Sequence, residues 1–150
     1  MVRRRARIAS VAALTGSLAL ALVSCGGDDT GTATPTSATA VDARIELISA
    51  SATQQLLDAP PAGLVVLDVR TPEEFAAGHL AGAIDLDYRS ATFADDLAEL
   101  DRDVPYLVYC HSGNRSAGAV AAMRELGFTI VSELDGGITA WQAAGYPVTS

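Results

Sequence analysis

From about Val41 onward, short apolar runs alternate with segments in which apolar and polar residues are mixed. Two runs, GLVVLDV (63–69) and PYLVYC (105–110), are continuous and bounded by glycine, proline or polar residues. This pattern is typical of strands that are buried on both faces of a parallel sheet. Shorter runs predict three more strands, RIELIS (44–49), GAIDLDY (82–88) and FTIVSEL (128–134).

The segments between these runs predict helices. The clearest start is TPEEF, where Thr71 is an N-cap candidate, Pro72 takes the first helical position and Glu74 completes a capping box. Four further helices are predicted, SATQQLLDA (51–59), SATFADDLAEL (90–100), SAGAVAAMRELG (116–127) and GITAWQAAG (137–145). The alternation predicts one α/β domain over residues 43–150, with a parallel sheet and helices on both of its faces. Ligands of such sheets bind at the carboxyl ends of the strands.

The first 24 residues carry the features of an export signal. MVRRRAR is positively charged, and the apolar stretch 8–24 holds 17 residues, fewer than the roughly 20 of a membrane-spanning helix. The following LVSCGG resembles a bacterial lipoprotein signal, which is cleaved before Cys25 and lipidated on that thiol. This resemblance predicts an exported protein, anchored by its lipid to the outer face of the cell membrane or to the periplasmic side. An ordinary secretory signal and an uncleaved anchor are the alternatives.

Residues 25–42 predict a flexible tether between the lipid and the domain. The stretch GGDDTGTATPTSATA (26–40) is rich in Gly, Thr, Ala and Pro and has too little apolar surface to fold. Without residues 1–24 the chain keeps six arginines against eighteen carboxylates, a net charge of −12. A domain this acidic is a poor candidate for binding nucleic acid, because the phosphates require a basic surface.

Cys110 is the candidate reactive residue. The chain has two cysteines. If Cys25 carries a lipid, Cys110 remains a free thiol in an oxidising compartment, where an unused thiol is a liability. It begins CHSGNR (110–115), between a predicted strand and a predicted helix, where unpaired amides and the helix dipole favour an anion. These amides are expected to lower the pKa of the thiol. A buried apolar cysteine is the alternative.

The remaining residues of this loop suit the same interpretation. The candidates for binding a substrate are His111, Ser112, Gly113, Asn114 and Arg115. Small polar residues leave the loop open, and Arg115 supplies a positive charge and a forked donor for an oxyanion.

Three motifs in sequence order resemble the single-domain rhodanese sulfurtransferases. They are LDVRTPEEFAAGHLAGAIDL (67–86), CHSGNRS (110–116) and LDGGITAWQAAGYPV (134–148). The resemblance implies a central parallel five-stranded sheet flanked by helices, with Cys110 as the nucleophile. Its thiolate would take a sulfane sulfur from thiosulfate or a persulfide donor and pass it to cyanide or a thiol. No cofactor and no metal are implied, and we expect a monomer whose partners are small sulfur compounds and the membrane surface.

Loop length separates the subclasses of this scaffold. By resemblance, sulfurtransferases have a six-residue loop, as found from Cys110 to Arg115, whereas the related dual-specificity phosphatases and arsenate reductases have one residue more. His111 stands where many relatives have arginine, which weakens the positive charge offered to a dianionic donor. The rival functions are a phosphatase or arsenate reductase, and a non-catalytic binding module.

Four polar residues are expected to support the site rather than react. Arg70 and Glu74 are predicted to form an ion pair across the first turn of a helix, and Asp68 to accept loop N–H groups. His79, in GHLAGA, is interpreted as a turn residue that hydrogen-bonds a backbone group, with a proton shuttle as the alternative.

Overall fold

The two continuous apolar runs form neighbouring strands of one sheet. The structure, a computed structural model, describes residues 44–150. Five strands in this range, β1 (Arg44–Ile48), β2 (Val65–Asp68), β3 (Ala83–Asp85), β4 (Tyr106–Tyr109) and β5 (Ile130–Leu134), alternate with five helices, α1 (Ala50–Asp58), α2 (Pro72–Ala76), α3 (Phe93–Ala98), α4 (Asn114–Glu125) and α5 (Gly137–Ala143).

All strand pairs of this sheet are parallel, in the order β1-β5-β4-β2-β3. The predicted α/β fold with a parallel five-stranded sheet is therefore confirmed. Asp68 at the end of β2 is in register with Tyr109 at the end of β4. The turn after β2 and the loop that begins at Cys110 consequently lie side by side at the carboxyl edge of the sheet.

The core lies on both faces of the sheet because side chains alternate along each strand. On β4 and the residue after it, Val108 and Cys110 join the cluster with Phe93 of α3 and Met123 of α4. Leu107 and Tyr109 join the cluster on the other face, which contains Ile138 and Trp141 of α5. Cys110 is therefore packed against the α4 side of the sheet.

The start of helix α4 differs from the prediction in an informative way. Helix α4 begins at Asn114, two residues before the predicted start at 116. Gly113 has φ 101°, a backbone conformation that glycine adopts without strain, and it turns the chain directly into the helix. The capping box predicted at Thr71 and Glu74 is present at the start of α2.

The predicted signal 1–24, the tether 25–42 and Cys25 lie outside the described residues. Within residues 44–150, no helix combines the length and the apolar character of a membrane span.

Candidate active site

Cys110 stands at the carboxyl end of the middle strand and immediately before helix α4. The residue is 1% exposed, so its sulfur lies beneath the surface of the loop rather than on it. His111 and Ser112 are exposed, and Asn114 and Arg115 already belong to the first turn of α4. The loop is therefore shorter than the six-residue motif, and the motif's last two amides are free amides of a helix N-terminus.

Hydrogen-bond donors converge on the sulfur. The amide of Gly113 donates to Cys110 Sγ at 3.1 Å, and Ser116 Oγ lies 3.5 Å from the same atom. Burial by itself raises the pKa of the Cys110 thiol, but the hydroxyl and amide of Ser116 and the amides of Ser112 and Gly113 together outweigh it. The net effect lowers the pKa of Cys110 below its ordinary value, which is the condition for a nucleophilic thiolate.

The start of helix α5 determines how the loop is oriented. Ile138 N donates to Cys110 O at 2.8 Å, and Thr139 donates to His111 O through its amide at 3.1 Å and its hydroxyl at 2.8 Å. A Cβ on Gly137 would overlap the Cys110 carbonyl oxygen and approach His111 O to 2.7 Å. Because these two carbonyls are held against α5, the loop amides that follow are free to face the sulfur.

Arg115 is paired with Glu74 across the site. Its Nη1 donates to Glu74 Oε2 at 2.6 Å and its Nη2 donates to Oε1 at 2.8 Å. Glu74 Oε2 also accepts the amide of Thr71 at 3.2 Å. The hydrogen bonds from Arg115 lower the pKa of Glu74 to about 2, although burial opposes them.

The predicted ion pair between Arg70 and Glu74 is wrong. Arg70 precedes the N-cap Thr71 and so lies outside helix α2, where the i, i+4 spacing of a helix does not apply. Its guanidinium turns back to Asp68, with Nη2 donating to Oδ2 at 2.6 Å and Nε to Oδ1 at 2.9 Å. Asp68 accepts one of the predicted loop amides, that of Arg70 at 3.0 Å.

Comparison with known proteins agrees with this geometry. Residues 49–144 match the family described as the rhodanese-like domain. The chain belongs to this family. It is 46% identical over 85 residues to the thiosulfate sulfurtransferase GlpE of Pseudomonas putida, covering 57% of this chain and 74% of that protein. It is 42% identical over 94 residues to the GlpE of Pseudomonas entomophila, covering 63% and 84% of the two chains. The rhodanese-related protein from Thermoplasma volcanium superposes with a TM-score of 0.61 at 35% identity, covering 69% and 97%.

Two predicted support residues of the rhodanese domain are buried beneath the site. Asp68 is fully buried and Arg70 is 4% exposed. Arg70 Nη2 also donates to Gly78 O at 2.7 Å, and the guanidinium carbon lies 5.7 Å from the centre of the Tyr109 ring. This ion pair therefore ties the turn after β2 to strand β4, directly before Cys110.

His79 contacts a backbone group, as predicted. Its Nδ1 lies 3.0 Å from Phe75 O, and its ring stacks on that of Phe75 with the centres 3.8 Å apart. The backbone of His79 also exchanges two hydrogen bonds with Thr149, both of 2.8 Å. These contacts are those of a turn residue that holds the C-terminal segment of the rhodanese domain.

No sequence pattern singled out Glu133 or Thr139, and Ser116 entered only as the last residue of the motif CHSGNRS. Ser116 is fully buried, and its hydroxyl lies 2.7 Å from Glu133 Oε1. A polar residue one helical turn after a glycine at a helix start is a usable signal for Ser116. The position of Glu133 could be found only from the sheet order, because β5 is brought next to β4 by a crossover.

Metal-binding clusters and cavities were compared with the position of the Cys110 loop within residues 44–150. Within residues 44–150, no group of three His, Cys, Asp or Glu side chains is arranged to hold a metal ion. A cavity of about 440 Å³ is lined by residues at the amino ends of the strands, among them Leu64, Pro105 and Ile130. None of its lining residues belongs to the Cys110 loop. The candidate site is therefore assigned from the reactive thiol and the donors around it, and not from the size of a cavity.

Proposed function

We propose that Cys110 transfers a sulfane sulfur from thiosulfate or a persulfide donor to a thiophilic acceptor such as cyanide or a thiol. The chain is a rhodanese-type sulfurtransferase, and relatives of 42–46% identity are named thiosulfate sulfurtransferases. The observation that carries the proposal is the hydrogen bond from the Gly113 amide to Cys110 Sγ, at the start of helix α4. It offers a negative sulfur both a donor and the positive end of the helix dipole.

The reaction needs two displacements. In the first, the Cys110 thiolate attacks the outer sulfur of thiosulfate, an S–S bond forms, and sulfite leaves with the electrons of the broken bond. In the second, the acceptor attacks the outer sulfur of the persulfide, and Cys110 leaves as a thiolate. The balance requires no external oxidant or reductant, and the covalent intermediate divides one transfer into two steps.

The loop residues have separate roles in this scheme. The amides of Ser112 and Gly113, with Ser116, stabilise the negative sulfur before and after each transfer. Glu74 already accepts one N–H from each terminal nitrogen of Arg115. We therefore assign to Arg115 the role of fastening the first turn of α4 to Glu74, rather than that of a free anion clamp.

The loop also limits which donors can react. Cys110 is 1% exposed, so a small anion reaches the sulfur more readily than a protein disulfide or a bulky aryl reagent does. The motif has six residues from Cys110 to Arg115, a length that by resemblance favours sulfur transfer over the larger phosphate and arsenate oxyanions.

Intact mass spectrometry after exposure to thiosulfate tests the proposal. The full chain carrying Cys25→Ala should gain one sulfur, and the chain carrying both Cys25→Ala and Cys110→Ser should gain none. Absence of any gain with thiosulfate, a glutathione persulfide and a polysulfide would favour the binding module. Hydrolysis of an aryl phosphate that depends on Cys110 would favour the phosphatase.

We further propose that Cys25 carries a lipid and that residues 25–42 hold the domain away from the membrane. The support is the order of charge, apolar stretch and LVSCGG in the sequence. Cys25→Ala should move the protein out of the membrane fraction, or leave it with an uncleaved signal, while sulfur transfer by the domain persists. Wild-type protein found in the medium with an unmodified Cys25 would contradict the anchor.

A further inference from the structure

A continuous line of polar contacts leads from the sulfur to a carboxylate on the neighbouring strand. Ser116 Oγ lies 3.5 Å from Cys110 Sγ, 2.7 Å from Glu133 Oε1 and 2.9 Å from Gly113 O. Ser116 is fully buried in the first turn of α4, and Glu133 is half-buried on β5. The line therefore runs inside the domain, on the face of the sheet opposite to α5.

The Ser116 hydroxyl has one proton and can donate it to one acceptor at a time. An ionised Glu133 accepts the hydrogen bond from the Ser116 hydroxyl, and the sulfur then has no hydroxyl donor. A protonated Glu133 donates its own proton to Ser116 Oγ, and the hydroxyl is then free to donate to the sulfur. The protonation of Glu133 thus decides which way Ser116 points.

We propose that Ser116 and Glu133 form a proton relay through which Cys110 and Glu133 share one proton, so that an ionised Glu133 opposes the thiolate and a protonated Glu133 permits it. The Cys110 S–H proton passes to Ser116 Oγ while the Ser116 proton passes to Glu133 Oε1. The products are a thiolate, an unchanged hydroxyl and a neutral carboxylic acid, so no co-reactant is needed. The relay rests on the proposed function, since it sets how much of the same sulfur is present as the reactive thiolate. Glu133 acts through Ser116 and is a positioning residue.

The surroundings of Glu133 suit an acceptor that keeps a proton. Its partners across the sheet are Leu47 on β1 and Val108 on β4, both apolar. Burial raises the pKa of Glu133 and the nearby charge of Asp135 adds to this, while the hydrogen bond from Ser116 opposes them; the net pKa is raised.

Besides Glu133, the charged groups nearest the sulfur lie on helices α4 and α2 and on the loop that begins at Cys110. The hydrogen bond to Glu74 of α2 and, to a smaller extent, the charge of Cys110 raise the pKa of Arg115 on α4. The ring of His111 is 3.9 Å from Glu74 and largely exposed. Arg115 and Glu74 largely offset each other, so Ser116 and the loop amides remain the direct partners of the sulfur.

Titration of the thiol tests the relay without any sulfur donor. The full chain with Cys25→Ala has Cys110 as its only thiol, and thiolate absorbance and the rate of iodoacetamide alkylation follow its ionisation. In this parent chain, two coupled ionisations should give a profile with two inflections. Adding Glu133→Gln keeps a donor to Ser116 Oγ and removes the charge, so the profile should have one inflection. Alkylation in mildly acidic buffer should then be about tenfold faster.

Two further variants separate the relay from a general charge effect. Ser116→Ala should slow alkylation in the same buffer, and Glu133→Gln added to it should have little further effect. Asp135→Asn removes a neighbouring carboxylate that has no contact with Ser116, and it should change the rate far less than Glu133→Gln does.

The relay is overturned if Glu133→Gln shifts the titration no more than Asp135→Asn, or if Ser116→Ala leaves it unchanged. Circular dichroism and thermal unfolding verify that each variant is folded, and Ser116→Ala gives an independent answer if Glu133→Gln is not. A chain that gains sulfur from thiosulfate but lacks these shifts retains the proposed function without the relay. A chain with these shifts but no gain from any sulfane donor loses the proposed function alone.

Discussion

The carboxylate of Glu74 accepts hydrogen bonds from both terminal nitrogens of Arg115, at 2.6 and 2.8 Å, although the two residues are 41 positions apart in the chain. The same carboxylate caps helix α2 through the amide of Thr71. One side chain therefore completes a local helix start and fastens the first turn of α4, which carries the amides around the sulfur. Bidentate pairs of this kind hold both position and angle.

This ion pair predicts a specific acid dependence of stability. The folded-state pKa of Glu74 is about 2, against an ordinary value of 4.5. Since the folded value is the lower one, the contribution is fully present above about pH 4.5 and is lost as the pH falls through about 2. Glu74→Gln should lower the free energy of unfolding at neutral pH by about 1 kcal/mol after allowance for solvent screening. Urea unfolding at a series of pH values should also show that stability falls less steeply between about pH 4.5 and pH 2 in this variant than in wild type.

Glu73→Gln is the matched control for this prediction. It removes the same charge from the same turn of α2, but Glu73 is exposed and the Glu74–Arg115 pair remains intact. If the free energy of unfolding falls equally steeply at acid pH in wild type and in Glu74→Gln, the pair of Glu74 with Arg115 does not contribute to stability.

The buried pair of Asp68 and Arg70 predicts a larger loss of stability. Asp68→Asn leaves the Arg70 guanidinium, 4% exposed, without its counter-ion, and should lower the free energy of unfolding by about 3–5 kcal/mol. Urea denaturation followed by circular dichroism measures this loss. Asp85→Asn, at the position paired with Asp68 on strand β3 but exposed, should change it by less than about 0.5 kcal/mol. Equal effects of the two variants would contradict the structural role of the pair.

Because Gly137 closely approaches the loop, a substitution at this residue should lower both the stability of the domain and the thiolate fraction of Cys110. Gly137 has φ 59°, and a Cβ there would overlap the Cys110 carbonyl oxygen. Gly137→Ala should therefore cost at least about 2 kcal/mol. It should also raise the thiol pKa, because displaced carbonyls no longer orient the loop amides. Urea unfolding and thiol titration measure the two effects.

Gly127→Ala is the comparison for that variant. Gly127 also has a positive φ, 88°, but no atom lies within 4 Å of an added Cβ. It should show the backbone cost of about 1–2 kcal/mol with an unchanged thiol. If Gly137→Ala also leaves the thiol titration unchanged, α5 does not orient the loop.

The donors around Cys110 predict a thiol that ionises early. Because the hydroxyl of Ser116 and the loop amides outweigh burial and lower the pKa of Cys110, alkylation of the folded chain should reach its plateau below the ordinary thiol value of about 8.5. Iodoacetamide rates across pH measure this, with the same Cys25→Ala chain in guanidinium chloride as the reference. A folded chain that titrates at or above the denatured one would remove the basis for a reactive thiolate.

The local sequence was sufficient to predict a feature wherever the contacts that determine this feature are close in the chain. The strand runs, the capping box of Thr71 and Glu74, and the placement of Cys110 between β4 and α4 follow from periodicity and turn chemistry within a few residues. The partner of Arg70 was mispredicted for a local reason, since a helical spacing was applied to a residue that precedes the helix.

The sequence by itself determined the alternation of strands and helices, the family, and the sulfur with its glycine-containing loop, because those features depend on neighbours along the chain. Only the tertiary structure decided that Glu74 pairs with Arg115, that α5 holds the carbonyls of Cys110 and His111, and that Glu133 reaches Ser116. Each of these contacts joins segments that meet only because parallel strands bring their carboxyl ends to one edge of the sheet. The order of the strands in the sheet sets those neighbours. Because this order results from the packing of the whole domain, no local sequence pattern predicts it.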